Sequence, residues 1–274
     1  MPREIFPQTI AAHRIASPSG TLRARVIRPA MTSHLAPLVV LHGISRNADE
    51  LVDLFQPEAE RSGRTIVVPH FCEKRWPDFQ RPSRNARPDQ ALLALLGHLA
   101  VIDPAFDRPV DLFGHSGGAQ LAHRFAMLYP QKAGMLNLAA AGWYCVPDAS
   151  MAFPYGLGID ATPESLAWAR RHHHAMPAYL RLAVRVFVGT CDTDRDASLR
   201  QNPDLDRIQG LTRIARAETY VDRFRAAALA RNIVPDIALT RLPGVTHDVA
   251  QAIGQGDLAR RVTAPAPAPL SAAC

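Results

Sequence analysis

The stretch Val110–Asp111–Leu112–Phe113–Gly114–His115–Ser116–Gly117–Gly118–Ala119–Gln120–Leu121 decides the fold. A short apolar run meets Gly-x-Ser-x-Gly, and an Ala/Leu/Phe-rich helical pattern follows. In that order the serine occupies a tight strand-to-helix turn with its hydroxyl clear of the backbone. Gly114 and Gly118 flank the turn, where a Cβ would clash with the strand or the helix. Gly117 leaves the amide after the serine free to face a reacting oxygen. A Gly-rich phosphate loop or a plain turn carries the same five letters. The strand before the serine and the helix after it favour the first reading.

Working outward, three further segments read as strands that end at polar groups. Upstream, Pro37–Leu38–Val39–Val40–Leu41–His42–Gly43 is a buried-strand run ending in His-Gly. Downstream, Arg185–Val186–Phe187–Val188–Gly189–Thr190–Cys191–Asp192 ends at an acid, and Ile237–Ala238–Leu239–Thr240–Arg241–Leu242–Pro243–Gly244–Val245–Thr246–His247 ends at a histidine. Ser116, Asp192 and His247 thus follow one another in the chain, each just past a strand's C-terminal end. Open parallel sheets place their sites there.

On these residues the chain resembles the α/β-hydrolase family. The resemblance runs from about Pro37 to about Ala252. It is carried by Leu41–His42–Gly43, Gly114–His115–Ser116–Gly117–Gly118, Gly189–Thr190–Cys191–Asp192 and Gly244–Val245–Thr246–His247. Within that superfamily the chain is most similar to bacterial esterases related to polyester depolymerases. The resemblance implies an α/β fold: a mostly parallel central sheet with helices on both faces and a short cap insert. It also implies a serine hydrolase acting on a carboxylic ester through an acyl-enzyme, with no cofactor and no metal.

The chemistry assigns roles. A serine hydroxyl is a poor nucleophile at neutral pH, so an imidazole must take its proton during attack. His247 fills that role for Ser116, and Asp192 orients the imidazole and stabilises its charged form. The tetrahedral oxyanion needs two backbone N–H groups: Gly117, and Ile44 in the loop after His42–Gly43, with Ser45 as its alternative. Asp194 and Asp196 follow the same strand as Asp192 and compete with it; Asp192 lies nearest the strand end. His42 and His115 sit inside the turn motifs and read as structural or pocket-lining groups. Asp248 reads as an acid at a helix N-terminus. The run His172–His173–His174 points three ways on a helix, which disfavours a metal site. His115, Trp143 and Tyr144 are the candidate substrate-binding residues. Phe153 and Tyr155 stand in the loop beyond. Thioesterase, lactonase, C–C hydrolase and peptidase chemistry share the triad. A hydrolase-like binding protein without turnover is the alternative from another class, and the intact Ser–Asp–His set argues against it.

Alternating strands and helices mean a mostly parallel sheet covered on both faces. Residues 10–17 and 21–28 read as a β-hairpin around Pro18–Ser19–Gly20. Asn47 reads as the N-cap of a helix over residues 48–62, and residues 64–69 as the next strand. A polar, proline-rich loop over 71–87 carries Trp76 and Phe79, either at the mouth of a site or packed on the body. Helices follow over 88–102, 163–174 and 211–232, with a strand over 132–139. Residues 1–262 read as one domain with a short insert over 143–180. The Ala/Pro-rich residues 263–274 read as a disordered extension.

The length of 274 residues fits one α/β domain. A net charge of +6 raises nucleic acid as a partner. Of the 31 basic residues only Lys74 and Lys132 are lysine, and the arginines are scattered among acids, with Arg81, Arg84 and Arg87 the one local excess. A small-molecule substrate is therefore expected, with no nucleic acid and no membrane. Cys72, Cys145, Cys191 and Cys274 show no paired or metal-ligand spacing. With no apolar h-region at the N-terminus, they point to a reduced cytoplasmic setting.

Overall fold

The computed structural model describes residues 8–81, 83, 86–159 and 163–265. Eight strands form one sheet: β1 (Thr9–Ser17), β2 (Gly20–Arg28), β3 (Leu38–Leu41), β4 (Ile66–His70), β5 (Val110–His115), β6 (Ala133–Ala139), β7 (Ala183–Gly189) and β8 (Ile237–Leu242). Their spatial order is β1-β2-β4-β3-β5-β6-β7-β8. The β1–β2 hairpin and the β2–β4 pair are antiparallel, and every pair from β4 through β8 is parallel. The central strands read as continuous apolar runs because both faces are buried. In β3, Val39 and Leu41 join one core while Leu38 and Val40 join the other. In β7, Val184, Val186 and Val188 face the first core and Phe187 the second.

Helices cover both faces. The chain supplies α1 (Ala48–Ser62), α2 (Pro88–Ile102), α3 (Gly117–Leu128), α4 (Pro163–Tyr179), α5 (Pro203–Gln209), α6 (Arg213–Leu229), α7 (Val249–Gly254) and α8 (Leu258–Thr263). Leu51 and Phe55 of α1, Val249 of α7 and Leu258 and Val262 of α8 pack in the second core. Leu92 and Leu95 of α2, Leu121 and Phe125 of α3 and Tyr220 and Phe224 of α6 pack in the first.

Several local expectations change on the structure. Asn47 makes no side-chain cap; its amide donates instead to Glu50 Oε2 at 2.7 Å. The insert helix α4 runs on to Tyr179, past the predicted end at residue 174. Helix α5, absent from the sequence reading, begins at an Asn202 cap whose Oδ1 accepts from Leu205 N at 3.0 Å, with Pro203 in its first turn. That pairing is a recognisable start signal. Trp76 and Phe79 are buried among Phe71 and Leu92, so the long loop packs on the body. Thr263 is buried and ends α8. Of the expected extension, residues 266–274 lie outside the described residues, as does Arg84 of the basic cluster.

Candidate active site

The turn after β5 places Ser116 at φ 52°, ψ −115°. Side-chain-bearing residues avoid that region, and it persists only where the surroundings over-determine it. Here they do. Ser116 N donates to Ala139 O at 2.8 Å on one side, and Gln120 N to Ser116 O at 3.2 Å on the other. A Cβ on Gly114 would stand 2.2 Å from the Gly118 carbonyl carbon, and one on Gly118 would stand 2.0 Å from Leu41 O. Only glycine lets α3 descend this closely onto β3 and β5.

The loops after β7 and β8 are laced together at the same edge of the sheet. Thr190 N donates to Leu242 O and Cys191 N to Val245 O, each at 2.9 Å. This brings Asp192 against His247, whose Nδ1–H donates to Asp192 Oδ2 at 2.9 Å. With that proton on Nδ1, Nε2 accepts from Ser116 Oγ at 3.1 Å. The Asp192 side chain is fully buried, and that of His247 retains 19 % exposure toward the cleft. Gln251 braces the histidine loop by accepting from Thr246 N at 2.8 Å and donating to Gly244 O at 3.3 Å.

The competing groups go elsewhere. Asp194 and Asp196 are exposed, and Asp196 Oδ1 accepts from Ser198 N and Ser198 Oγ at 2.8 and 2.6 Å. Asp248 caps α7 by accepting from Gln251 N at 2.6 Å. His42 donates from Nδ1 to Gly43 O at 2.8 Å and accepts at Nε2 from Phe71 N at 3.0 Å, so it ties the β3 and β4 loops. Burial lowers it to about 4. His115 lies with its ring 5.0 Å from that of His247. Burial first, then the nearby His247 and Arg213, lower it to about 3, so it supports the histidine as a neutral ring. In the His172–His173–His174 run, His172 turns inward and bonds Trp168 O at 2.7 Å, while His173 and His174 are exposed.

Two amides frame the space beside Ser116. Arg46 N donates to Gly43 O at 3.2 Å, closing a turn that carries Ile44 and Ser45. Ile44 N lies 3.4 Å from the point a Cβ on Gly117 would occupy. Among the described residues neither Ile44 N nor Gly117 N bonds another backbone acceptor. The turn is fastened by Arg46, which sequence reasoning missed. Its guanidinium donates to Phe71 O, Trp76 O and Pro77 O at 3.1, 3.0 and 2.8 Å and lies 4.3 Å over the Phe79 ring.

A cleft of about 370 Å³ opens over Ser116 and His247, walled by Ile44, Asn47, Glu50, His115, Ser198 and Val249. Trp143 and Tyr144 do not line it, which corrects their expected place in the pocket. Trp143 is 3 % exposed and stacks 4.2 Å over the Arg124 guanidinium. Tyr144 is fully buried and stacks on Tyr220 at 4.3 Å. Both serve packing beneath the insert. Phe153 and Tyr155 line a separate cleft of about 610 Å³ with Arg207, Ile208 and Arg223. Among the described residues no helix is long and apolar enough to cross a membrane.

No protein-family model matches the chain, and no curated protein matches it. Solved structures do. Poly(aspartic acid) hydrolase-1 from Sphingomonas sp. KT-1 is similar at 22 % identity and TM-score 0.75, over 94 % of this chain and 98 % of that one. LpqC, a poly(3-hydroxybutyrate) depolymerase from Bordetella parapertussis, is similar at 24 % identity and TM-score 0.73, over 94 % and 96 %. FphF, a fluorophosphonate-binding serine hydrolase from Staphylococcus aureus, is similar at 14 % identity and TM-score 0.59, over 94 % and 98 %. At these identities the likeness shows the fold. The chain has the α/β-hydrolase fold, with its mostly parallel eight-stranded sheet and helices on both faces.

Proposed function

We propose that the chain is a serine hydrolase that cleaves a small or medium carboxylic ester through an acyl-enzyme on Ser116. One observation carries the reading: the unbroken relay from Ser116 Oγ to His247 Nε2 at 3.1 Å and from His247 Nδ1 to Asp192 Oδ2 at 2.9 Å. Ser116 Oγ attacks the ester carbonyl carbon while His247 Nε2 takes the hydroxyl proton. Asp192 holds the imidazolium that results. The carbonyl oxygen, now anionic, is received by Gly117 N–H and Ile44 N–H, and losing one such donor costs about 3 kcal/mol of transition-state stabilisation. The C–O bond to the alcohol breaks, His247 returns its proton to the leaving oxygen, and water releases the acyl group by the same steps in reverse.

The hydrolytic activities named for the structural neighbours are in keeping with this chemistry. The cleft of about 370 Å³ suits a modest substrate. We treat residues 1–262 as one catalytic unit with residues 143–180 as an insert. The test is to react the full chain with a fluorophosphonate and locate the adduct, then to assay p-nitrophenyl esters of rising chain length beside hydroxyalkanoate oligomers. The expected result is stoichiometric labelling of Ser116, and turnover that Ser116→Ala reduces by about 10⁴-fold. A Ser116→Ala variant with wild-type turnover refutes the proposal.

A further inference from the structure

Asp192 is gripped from two sides. One oxygen faces His247. The other, Oδ1, accepts from Arg213 Nη1 at 3.1 Å, and both side chains of this pair are fully buried. Arg213 opens α6, at the far end of the segment that follows β7. Its second nitrogen, Nη2, donates to Ser198 Oγ at 2.6 Å and lies 3.4 Å from Asp196 Oδ1, while Nη1 also approaches Asp194 O at 3.4 Å. Ser198 Oγ donates onward to Asp196 Oδ1 at 2.6 Å and lines the Ser116 cleft. One guanidinium therefore spans the carboxylate behind His247 and the wall of the cleft in front of it.

The physical consequences are two. Nη1 makes a single hydrogen bond to Asp192, and because Nη2 of the same planar group is anchored on Ser198 Oγ, that one donor holds Asp192 Oδ1 in a fixed place, which an ammonium on a flexible stem does less well. A buried cation beside the carboxylate also offsets part of the pull that Asp192 exerts on a protonated His247. The other groups facing this pair do not substitute. Arg216, three residues along α6, is buried but spends its donors on Asp206 and on the carbonyls of Gly142, Arg200 and Gly210. From β5, His115 is neutral above about pH 3. From the segment after β6, Tyr144 is raised by burial and keeps its proton. From the β7 loop, Asp196 is lowered to about 2 by its bond from Ser198 and stays anionic on the far side of Arg213. Asp248, next to His247, is spent on capping α7.

We propose that Arg213 is a positioning residue for this site: it holds Asp192 in register with His247 and moderates how firmly the imidazole keeps a proton. The inference rests on Ser116 being the nucleophile. The test uses the full chain and diisopropyl fluorophosphate, whose phosphorus is attacked by Ser116 Oγ as fluoride leaves and His247 takes the proton. The second-order labelling rate is measured from pH 5 to 9 for wild type, Arg213→Met and Arg213→Lys. Near-ultraviolet circular dichroism checks the fold of each. Arg213→Met is expected to lose about 100-fold at the plateau, since a displacement near 1 Å costs that much. Its acid limb should move up by about one pH unit, because the moderating charge is gone. Arg213→Lys should restore the wild-type limb and only part of the plateau, since an ammonium cannot reach Asp192 and Ser198 together. A folded Arg213→Met with the wild-type limb and plateau overturns the inference. If Arg213→Met does not fold, Arg213→Lys decides alone: a wild-type plateau overturns the proposal, and a reduced plateau with the wild-type limb supports it. A wild-type chain that is not labelled at Ser116 overturns the nucleophile assignment and this inference with it. Labelled wild type with unaltered Arg213 variants overturns the inference alone.

Discussion

Replacing Ser116 by glycine should stabilise the protein relative to replacing it by alanine, and the difference measures strain stored at the turn. Ser116 holds φ 52°, ψ −115°, a conformation that costs a residue with a Cβ about 1–3 kcal/mol. Ser116→Ala removes the hydroxyl and its bond to His247 but keeps the Cβ and the strain. Ser116→Gly removes both. Glycine gives back about 0.5–1 kcal/mol through the greater freedom of its unfolded chain. The net gain of Ser116→Gly over Ser116→Ala is then about 0–2.5 kcal/mol. The hydrogen bond to His247 is absent from both variants and cancels. In a chain of this size each kcal/mol moves Tm by about 2–4 °C, so the glycine variant should melt higher by up to about 10 °C. Matched calorimetric scans at one rate and one pH give the comparison, with an ester assay to show both variants inactive. A lower melting point for Ser116→Gly would refute strain at Ser116 and leave the close packing of Gly114 and Gly118 as the reason for the motif.

Asp192→Asn should lower ester turnover by about 10³–10⁴-fold, while Asp194→Asn and Asp196→Asn should stay within about tenfold of wild type; steady-state kinetics on one ester decides it, and an equal loss in Asp194→Asn would move the acid by two residues. Burial lowers His42 and His172 to about 4 and His115 to about 3. Below pH 6.5 the unfolded chain therefore binds more protons than the folded one. Their contribution is fully present above pH 6.5 and is lost as pH falls toward 4, at up to about 1.4 kcal/mol per pH unit for each histidine. Tm should be flat from pH 7 to 9 and fall steeply between pH 6 and 4.5, and a constant Tm down to pH 4.5 would contradict the buried neutral rings. Trp143→Ala should cost about 3–5 kcal/mol of stability by uncovering Arg124 and removing its edge-to-face contact with Tyr155. It should leave the ranking of ester chain lengths unchanged; an altered ranking at full stability would return Trp143 to the pocket wall.

The sheet was legible because its strands obey simple rules. Buried parallel strands are short apolar runs, and β3, β5, β7 and β8 are each followed within five residues by a polar group, His42, Ser116, Asp192 and His247, at the same end of the sheet. The serine turn was legible because two glycines must stand where backbone meets backbone. The pocket was not. An aromatic residue just past a strand end reads the same whether it lines a cleft or covers a buried charge, and Trp143 does the second because Arg124 lies beneath it. Nor does spacing alone choose among Asp192, Asp194 and Asp196. The choice depends on the end of β7 and on Arg213, 21 residues further along, at a range no local pattern reaches.

The arginines explain what was missed. Arg213 is buried against Asp192, Arg216 against Asp206 and Arg64 against Asp111. The first two, with Arg46, each fasten a loop at the strand ends. Arg46 holds residues 71–77 by three carbonyls. Arg213 holds residues 192–198. Arg216 donates to Gly142 O, Arg200 O and Gly210 O, tying the insert to the segments around α5. A planar guanidinium with five donors can close several loop carbonyls at once, which an ammonium on a flexible stem cannot. Loops at a strand's end have carbonyls that no ladder satisfies, and burying them unpaired would be costly. A sheet edge crowded with such loops gains from arginine in the interior, and the same side chains that satisfy the loops hold Ile44, Asp192 and Ser198 around Ser116. Arg64, Arg213 and Arg216 are each paired with an acid, so the pairs leave the net charge of +6 unchanged and act as interior scaffolding. That scaffolding bears on how firmly the site is held.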